Sequence, residues 1–268
     1  MLETYKVSEE EKEFFHENGY VTLKNVVSAE ELEYIEAQFD RFMRGEVEVE
    51  GKDFCDMSAG FDRKPEDFEL VNAMLPRRYL PSLKDNVFEL RAQSISRQLF
   101  GDDMVLDYDQ FLGKKPRQTK ASFAMHQDMA YWPRKTPDTK TATVSLAITQ
   151  ATPMHGCLQV VPGTHKIEEV RPHRNALSND GSREDSHAQT VDLLDGEKIE
   201  FCPLEAGDLT VHNEWIIHGS SGNKAKDWRK TYVIAFRSAE TVKWEREHGF
   251  THSHNDEVNW DSFEENSI

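Results

Sequence analysis

Beyond Gly101 the chain changes period. Leu106, Tyr108, Gln110 and Leu112 interleave with Asp107, Asp109 and Phe111. Ala142-Thr-Val-Ser-Leu-Ala-Ile148 sets Val144, Leu146 and Ile148 on one face. Side chains that alternate two by two belong to strands with one buried face. Phe201 to Ile217 and Thr231 to Arg237 read as strands as well. The first hundred residues follow a helical period instead. Helices first and strands afterwards predict a mainly β fold with flanking helices: a sandwich or barrel with a helical layer packed outside it.

The helical part carries its own start signals. Ser8-Glu-Glu-Glu11 and Ser28-Ala-Glu-Glu31 both read Ser-x-x-Glu, the reciprocal cap of a helix N-terminus. The first helix should stop at Asn18-Gly19, before a short strand Tyr20-Val-Thr-Leu23. The second carries Leu32, Ile35, Phe39 and Phe42 on one stripe and ends at Gly45. A third is expected from about Asp85 to Leu99. Glu46 to Pro81 looks irregular, Pro162-Gly-Thr-His-Lys166 is a turn, and 167–200 reads as a long polar loop centred on Asn179-Asp-Gly-Ser182. No linker interrupts the 268 residues. They are read as one domain: a helical layer and entrance loop (1–100), a β core (101–238) and a C-terminal extension (239–268).

Composition narrows the partners. The net charge is −17, and residues 1–50 hold five Lys/Arg against fourteen Asp/Glu. Nucleic acid and anionic membranes reward clustered basic residues, so neither is expected. No apolar run is long enough to span a bilayer, the mean hydropathy is −0.71, and the N-terminus lacks the order of a secretory signal. Cys55, Cys157 and Cys202 are odd in number and scattered, with neither disulfide nor zinc-finger spacing, which predicts a reducing cytoplasm. The charge leans toward a neutral, cationic or zwitterionic small-molecule substrate. Oligomeric state is left open.

Against that background one constellation stands out. His126 and Asp128 are two apart in Ser122-Phe-Ala-Met-His-Gln-Asp-Met-Ala-Tyr-Trp-Pro133. On a strand both would point the same way, with Gln127 turned off. Far downstream, Ile217-His218-Gly-Ser220 supplies a second imidazole at a strand end, and Arg229 follows eleven residues on. That spacing suits a strand, a tight turn and an antiparallel return, with His218 and Arg229 neighbours in one pocket. Two imidazoles and one carboxylate with open positions form the facial triad of non-haem Fe(II) oxygenases. Catalytic zinc can use a similar set. The arginine favours iron, because a buried guanidinium needs an anion and its fork fits the carboxylate of a metal-chelating 2-oxo acid.

The sequence resembles the phytanoyl-CoA dioxygenase (PhyH)-like family of Fe(II)/2-oxoglutarate enzymes. The matching stretches are Glu17-Asn-Gly-Tyr20, Lys114-Lys-Pro116, His126-Gln-Asp128 with Tyr131 and Pro133, and Gly156-Cys-Leu-Gln-Val-Val-Pro-Gly-Thr-His-Lys166. Gly207-Asp208 and His218-Gly-Ser-Ser-Gly-Asn223 leading to Arg229 complete them. The resemblance implies a double-stranded β-helix (jelly roll, cupin-like) core. It implies Fe(II), O2 and 2-oxoglutarate as cofactors and co-substrates, with His126, Asp128 and His218 on the metal and Arg229 on the distal carboxylate. Ser220 and Lys114 match positions that assist co-substrate binding in relatives; Gln110, on the same strand face as Lys114, is a further candidate. The implied reaction is hydroxylation of a small-molecule metabolite with release of succinate and CO2. With Asp128 in place, halogenation lacks its open metal position.

Two departures stand out. Thr143-Val-Ser145 replaces an aromatic common in relatives, and Met154-His155 replaces the usual Asn before Gly-Cys. Competing readings are a silent jelly roll that senses metal or 2-oxoglutarate and a zinc-dependent hydrolase.

Other residues have plainer expectations. His165 should hold its turn, and His155 is a loop residue with a possible substrate contact. His212 shares parity with His218 if the strand is unbroken. Tyr131 and Trp132 either wall the substrate site or pack in a core. Arg77-Arg78-Tyr79 is the clearest basic spot. His248, His252 and His254 belong to an acidic, solvated tail, in which Trp244 and Trp260 hint at docking.

Overall fold

A computed structural model describes residues 4–58, 63–133, 135–175 and 189–257. The expected Asn179–Ser182 loop centre and Trp260 lie outside those residues.

Both capping boxes form. Ser8 and Ser28 accept from the backbone N–H of Glu11 and Glu31, whose carboxylates reach back, and they open α1 (Glu9–Asn18) and α2 (Ala29–Met43). Strand β1 (Tyr20–Leu23) lies between the two helices. A short α3 (Pro76–Tyr79) precedes α4 (Val87–Phe100), where Asn86 accepts from Phe88 and Glu89.

The expected irregular stretch contains two strands, β2 (Phe54–Asp56) and β3 (Leu70–Met74). Asp56 organises the crossing between them, accepting from the backbone of Ser58, Glu69 and Leu70 and from Arg63. A carboxylate that gathers loop N–H groups leaves no hydrophobic period to read.

The remaining strands are β4 (Met104–Lys114), β5 (Phe123–His126), β6 (Thr141–Ala147), β7 (Leu158–Val161), β8 (His173–Asn175), β9 (Gln189–Val191), β10 (Glu200–Cys202), β11 (Leu209–His212), β12 (Ile217–Ser220) and β13 (Arg229–Ser238); α5 (Ala239–Glu247) follows. Seven strands form one antiparallel sheet in the order β1-β11-β6-β13-β4-β3-β2, and four form a second, β10-β7-β12-β5. Two antiparallel sheets, bridged by contacts such as Lys114 to Ser220, are the jelly-roll core that the resemblance implies. Two expectations change. The polar stretch 167–200 holds the antiparallel β8–β9 pair. Phe201 to Ile217 is not one strand: it breaks at 203–208 and turns at 213–216, passing from the small sheet to the large one and back.

Alternation in the large sheet decides where everything goes. Val21, Leu23, Phe111, Val144, Leu146, Leu209, Val211, Tyr232 and Ile234 share a core with Ile35, Phe39 and Phe42 of α2 and Phe88, Ala92 and Ile95 of α4. Phe39 meets Phe111 edge-on at 5.5 Å. Fully burying each such aromatic is worth about 1.5–3 kcal/mol, so the helical layer is fixed by its stripe. The opposite face is polar. In register across it lie Lys114 with Arg229, Gln110 with Val233, Val233 with Ser145, Ser145 with Thr210, and Thr143 with His212. Strand parity that drives apolar side chains outward under the helices therefore drives these inward, toward the small sheet.

The tail also departs from expectation. Instead of being solvated, Phe250, His252 and Ser253 are buried against the body. His252 Nε2 bonds Asp107 Oδ2 at 2.8 Å and its ring stacks on Tyr108. Trp244 packs with Phe250 against the cluster of Tyr108, Trp132 and Trp215. The tail histidines serve three separate places: His248 closes α5 on the Trp244 carbonyl, and His254 lies near Cys55. Asp107, Glu245 and His252 offer ligand atoms close enough for a metal, but Arg246 and Arg237 already pair with the two acids.

Candidate active site

His126 ends β5 and His218 sits in β12, and the two are direct cross-strand partners. Their ring centroids are 4.4 Å apart. Gly219 makes the approach possible, because a Cβ there would come 2.9 Å from the Phe123 carbonyl and from Met125 Sδ. Asp128 lies just past the end of β5 and opens a 3-10 turn; Gln127, at φ −110° and ψ 134°, stays extended and keeps the two-residue parity. Gln127 turns away as expected, bonding the Trp215 and Glu169 carbonyls and the Arg171 N–H.

The three side chains converge. Asp128 Oδ1 is 3.5 Å from His126 Nε2 and 3.4 Å from His218 Nε2, and ligand atoms of all three residues lie within 4.8 Å of one another. Each histidine is oriented from behind: His126 Nδ1 faces the Ala124 carbonyl at 2.7 Å and His218 Nδ1 the Ile216 carbonyl at 3.0 Å. A carbonyl can only accept, so Nδ1 carries the proton and Nε2 presents a lone pair. Burial works to raise the Asp128 carboxyl, but the neighbouring His218, then contacts with His126 and His212, outweigh it and hold it well below the ordinary range. Two neutral nitrogen donors and one ionised oxygen suit Fe(II).

Beside them stands a cationic pocket. Arg229 begins β13 opposite Lys114 at the end of β4. Lys114 is 2% exposed and donates to Ser220 Oγ at 2.7 Å and to the Ser221 carbonyl. Burial, then the charge of Arg229, pushes its ammonium well below the usual value. Burial also lowers Arg229 to about 10. Arg229 Nη1 donates to the Gly156 carbonyl, while its buried Nε has no acceptor. Gly156 sits at φ +70°, where a Cβ would strike the Ser221 carbonyl at 2.1 Å. Among the described residues neither cation has a carboxylate partner. A buried ammonium and a half-buried guanidinium with an orphaned, buried Nε fit a dianionic acid such as 2-oxoglutarate.

Arg229 is not on an antiparallel return from His218. Strand β12 pairs with β5 and β7, whereas β13 pairs with β4 and β6, so residues 221–228 cross between sheets. The link between the two residues is Lys114, which touches Ser220 and faces Arg229. Gln110 commits its amide to Asn72 Oδ1 on β3 at 2.5 Å. Tyr131 meets His126 edge-on at 5.5 Å, while Trp132 is buried beneath the tail and over Arg237. His155 bonds Thr152 within its own turn, and His165 meets the His16 carbonyl at the end of α1. Arg77 is held by Glu89. His212, buried in β11, reaches Asp128 from the large sheet; its parity with His218 had pointed there through an unbroken strand that does not exist.

Residues 15–231 match the family of phytanoyl-CoA dioxygenase (PhyH). The peroxisomal phytanoyl-CoA dioxygenase of Rattus norvegicus is 25% identical over 251 residues, covering 89% of this chain and 71% of the relative. An ectoine dioxygenase of Nocardia farcinica is 22% identical over 248 residues, covering 88% and 80%. Among solved structures, EvdO2 from Micromonospora carbonacea var. aurantiaca superposes with a TM-score of 0.72 at 27% identity, covering 89% of this chain and 94% of that one. A second EvdO2 structure, complexed with 2-oxoglutarate, gives 0.70 at 25% identity. Neither a silent binding protein nor a zinc hydrolase is favoured by this company. With the sequence matched across most of its length and the fold alike, the chain belongs to the phytanoyl-CoA dioxygenase (PhyH) family and is an Fe(II)- and 2-oxoglutarate-dependent dioxygenase.

Proposed function

We propose that His126, Asp128 and His218 hold Fe(II), that Arg229 with Lys114 and Ser220 receives the distal carboxylate of 2-oxoglutarate, and that the enzyme hydroxylates a small-molecule metabolite. The observation that carries this reading is Arg229: a half-buried guanidinium whose buried Nε is orphaned, beside the buried Lys114 ammonium, next to a three-donor cluster. Bound there, Fe(II) supplies the activation of O2 coupled to decarboxylation of 2-oxoglutarate to succinate and CO2.

The chain's own part is positioning. The Ala124 and Ile216 carbonyls hold the two rings with Nε2 forward. Asp128, kept ionised, supplies the one negative charge of the cluster. Arg229 and Lys114 fix one end of the co-substrate, which decides how its other end is presented. Gln110, on the same inward face, stays a weaker candidate for that pocket. Tyr131 flanks His126, and the packed body of Tyr108, Met129, Trp132 and Trp215 behind it excludes water.

A neutral, cationic or zwitterionic substrate is supported over an acyl-CoA. The chain carries −17, and its clearest basic spot is engaged where Arg77 pairs with Glu89. The same acidity speaks against nucleic acid and anionic membranes as partners. No helix among the described residues is long and apolar enough to cross a membrane. The three cysteines are buried and unpaired, which supports a reducing compartment such as the cytoplasm. We read residues 1–268 as a single dioxygenase domain.

The test is an anaerobic titration with Fe(II) and then 2-oxoglutarate, followed by a metabolite screen for succinate release on admitting O2. Succinate formation that needs added Fe(II) and disappears in His126→Ala is expected. Turnover that survives that substitution would overturn the assignment.

A further inference from the structure

A third imidazole stands behind the Asp128 carboxylate. His212 ends β11 on the inward face of the large sheet, between Tyr20 on β1 and Thr143 on β6, and is 3% exposed. Neither of its ring nitrogens has a hydrogen-bond partner, and the Thr143 hydroxyl beside it has none either. Burying an imidazole without a partner is costly, so this ring is placed for a contact. The contact within reach is Asp128: His212 Nε2 lies 3.4 Å from Oδ2, where a small ring rotation closes a hydrogen bond.

The carboxylate is thereby divided. Its Oδ1 faces His126 and His218, and its Oδ2 faces His212. The His212 and His218 rings are 4.4 Å apart, yet His212 is not one of the residues whose ligand atoms all lie within 4.8 Å of one another. It faces the second carboxylate oxygen, where a donor can hold the acid without joining the cluster.

We propose that His212 is a positioning residue that donates from Nε2 to Asp128 Oδ2, locking the carboxylate so that only Oδ1 is presented to the metal. This rests on the reading of His126, Asp128 and His218 as metal ligands. A carboxylate free to turn can offer both oxygens and close a coordination position that co-substrate or O2 needs; a donor on Oδ2 prevents that turn.

The test uses the full chain and Co(II) as a spectroscopic probe, titrated anaerobically into wild type, His212→Phe, His212→Gln and Asp128→Ala. Phenylalanine keeps the ring volume without a donor, whereas the glutamine amide places an N–H near the position of Nε2. His212→Phe is expected to weaken Co(II) about 10–100-fold, as removal of such outer partners does, and to change the visible Co(II) bands. His212→Gln should restore affinity and spectrum to within a few-fold of wild type. Wild-type affinity and bands in His212→Phe would overturn the proposal. So would glutamine behaving like phenylalanine, which points to the ring itself as ligand or filler. If the phenylalanine variant does not fold, glutamine decides alone: a wild-type melt with weakened Co(II) overturns the proposal, and a wild-type melt with full affinity supports it. Asp128→Ala separates the two levels. Unchanged Co(II) binding there removes the ligand reading; binding lost there but kept in His212→Phe removes only the role of His212.

Discussion

Replacing Arg229 should move stability and ligand affinity in opposite directions. Burial lowers the guanidinium to about 10, and at about 1.4 kcal/mol per pH unit this amounts to roughly 3 kcal/mol held against the charged form. No carboxylate among the described residues relieves it. Arg229→Met removes the charge but keeps much of the stem volume. The Gly156 carbonyl loses one donor, a cost of about 1 kcal/mol. The ligand-free variant should therefore melt at or a few degrees above the wild type, since about 1 kcal/mol shifts a chain of this size by roughly 2–4 °C. With 2-oxoglutarate the sign reverses. Losing one side of a desolvated charge pair costs about 3–5 kcal/mol, or roughly a hundredfold to a few thousandfold in affinity. The assay is an anaerobic titration of the Fe(II)-loaded protein with 2-oxoglutarate, paired with thermal melts without ligand. A 2-oxoglutarate affinity within threefold of wild type, or a ligand-free melt lowered by ten degrees, would refute the reasoning.

His126→Ala and Asp128→Ala should each abolish Fe(II)-dependent succinate formation while circular dichroism stays native; turnover near wild type in either is the contrary result. Lys114→Met should weaken 2-oxoglutarate less than Arg229→Met, by roughly tenfold for one charge-assisted contact of about 1.5 kcal/mol; a loss equal to that of Arg229→Met would show that the two cations act as one unit. The tail clasp should be pH-dependent. Burial alone would lower His252, but the charge and hydrogen bond of Asp107 overcome it and raise it above its ordinary value, with Glu245 adding and Tyr108 stacked alongside. A raised folded pKa means stabilisation that is complete below the unfolded value of about 6.5 and is lost as pH rises through the folded one. Protection of residues 250–256 from proteolysis should fall over that rise in wild type and be flat in His252→Gln; a flat wild-type profile contradicts the mechanism.

Much of this architecture is legible without coordinates because it depends on local rules. Two Ser-x-x-Glu boxes set helix starts to the residue, and alternation in 142–148 identifies the face that α2 and α4 cover. His126 and Asp128 declare themselves by the parity of an extended chain. What stayed hidden depends on which strands pair. Nothing local says that β5 meets β12 and sets His126 opposite His218. Spacing alone suggested a hairpin from His218 to Arg229, yet the chain changes sheets instead, and contact passes through Lys114. His212 was singled out on parity along a strand that in fact breaks at Asn213, where the Asn213 side chain accepts from Trp215 and turns the backbone toward the other sheet. The tail misled because acidic composition reads as solvated, whereas Phe250 and His252 bring just enough ring surface and one matched charge to dock.

Ownership of the reagents is split between the two sheets. The nitrogen and oxygen donors belong to the small sheet and its margin, on β5, β12 and the turn after β5, while both cations rise from β4 and β13 of the large one. Ser220, bonded to Lys114, is a native rivet between the boards. On the proposed assignment, a co-substrate held by the donor cluster at one end and by Arg229 and Lys114 at the other would become a second rivet. Its arrival should then damp any hinge-like breathing of the sandwich, so that amide exchange slows along β5 and β13 together although no hydrogen bond joins those strands.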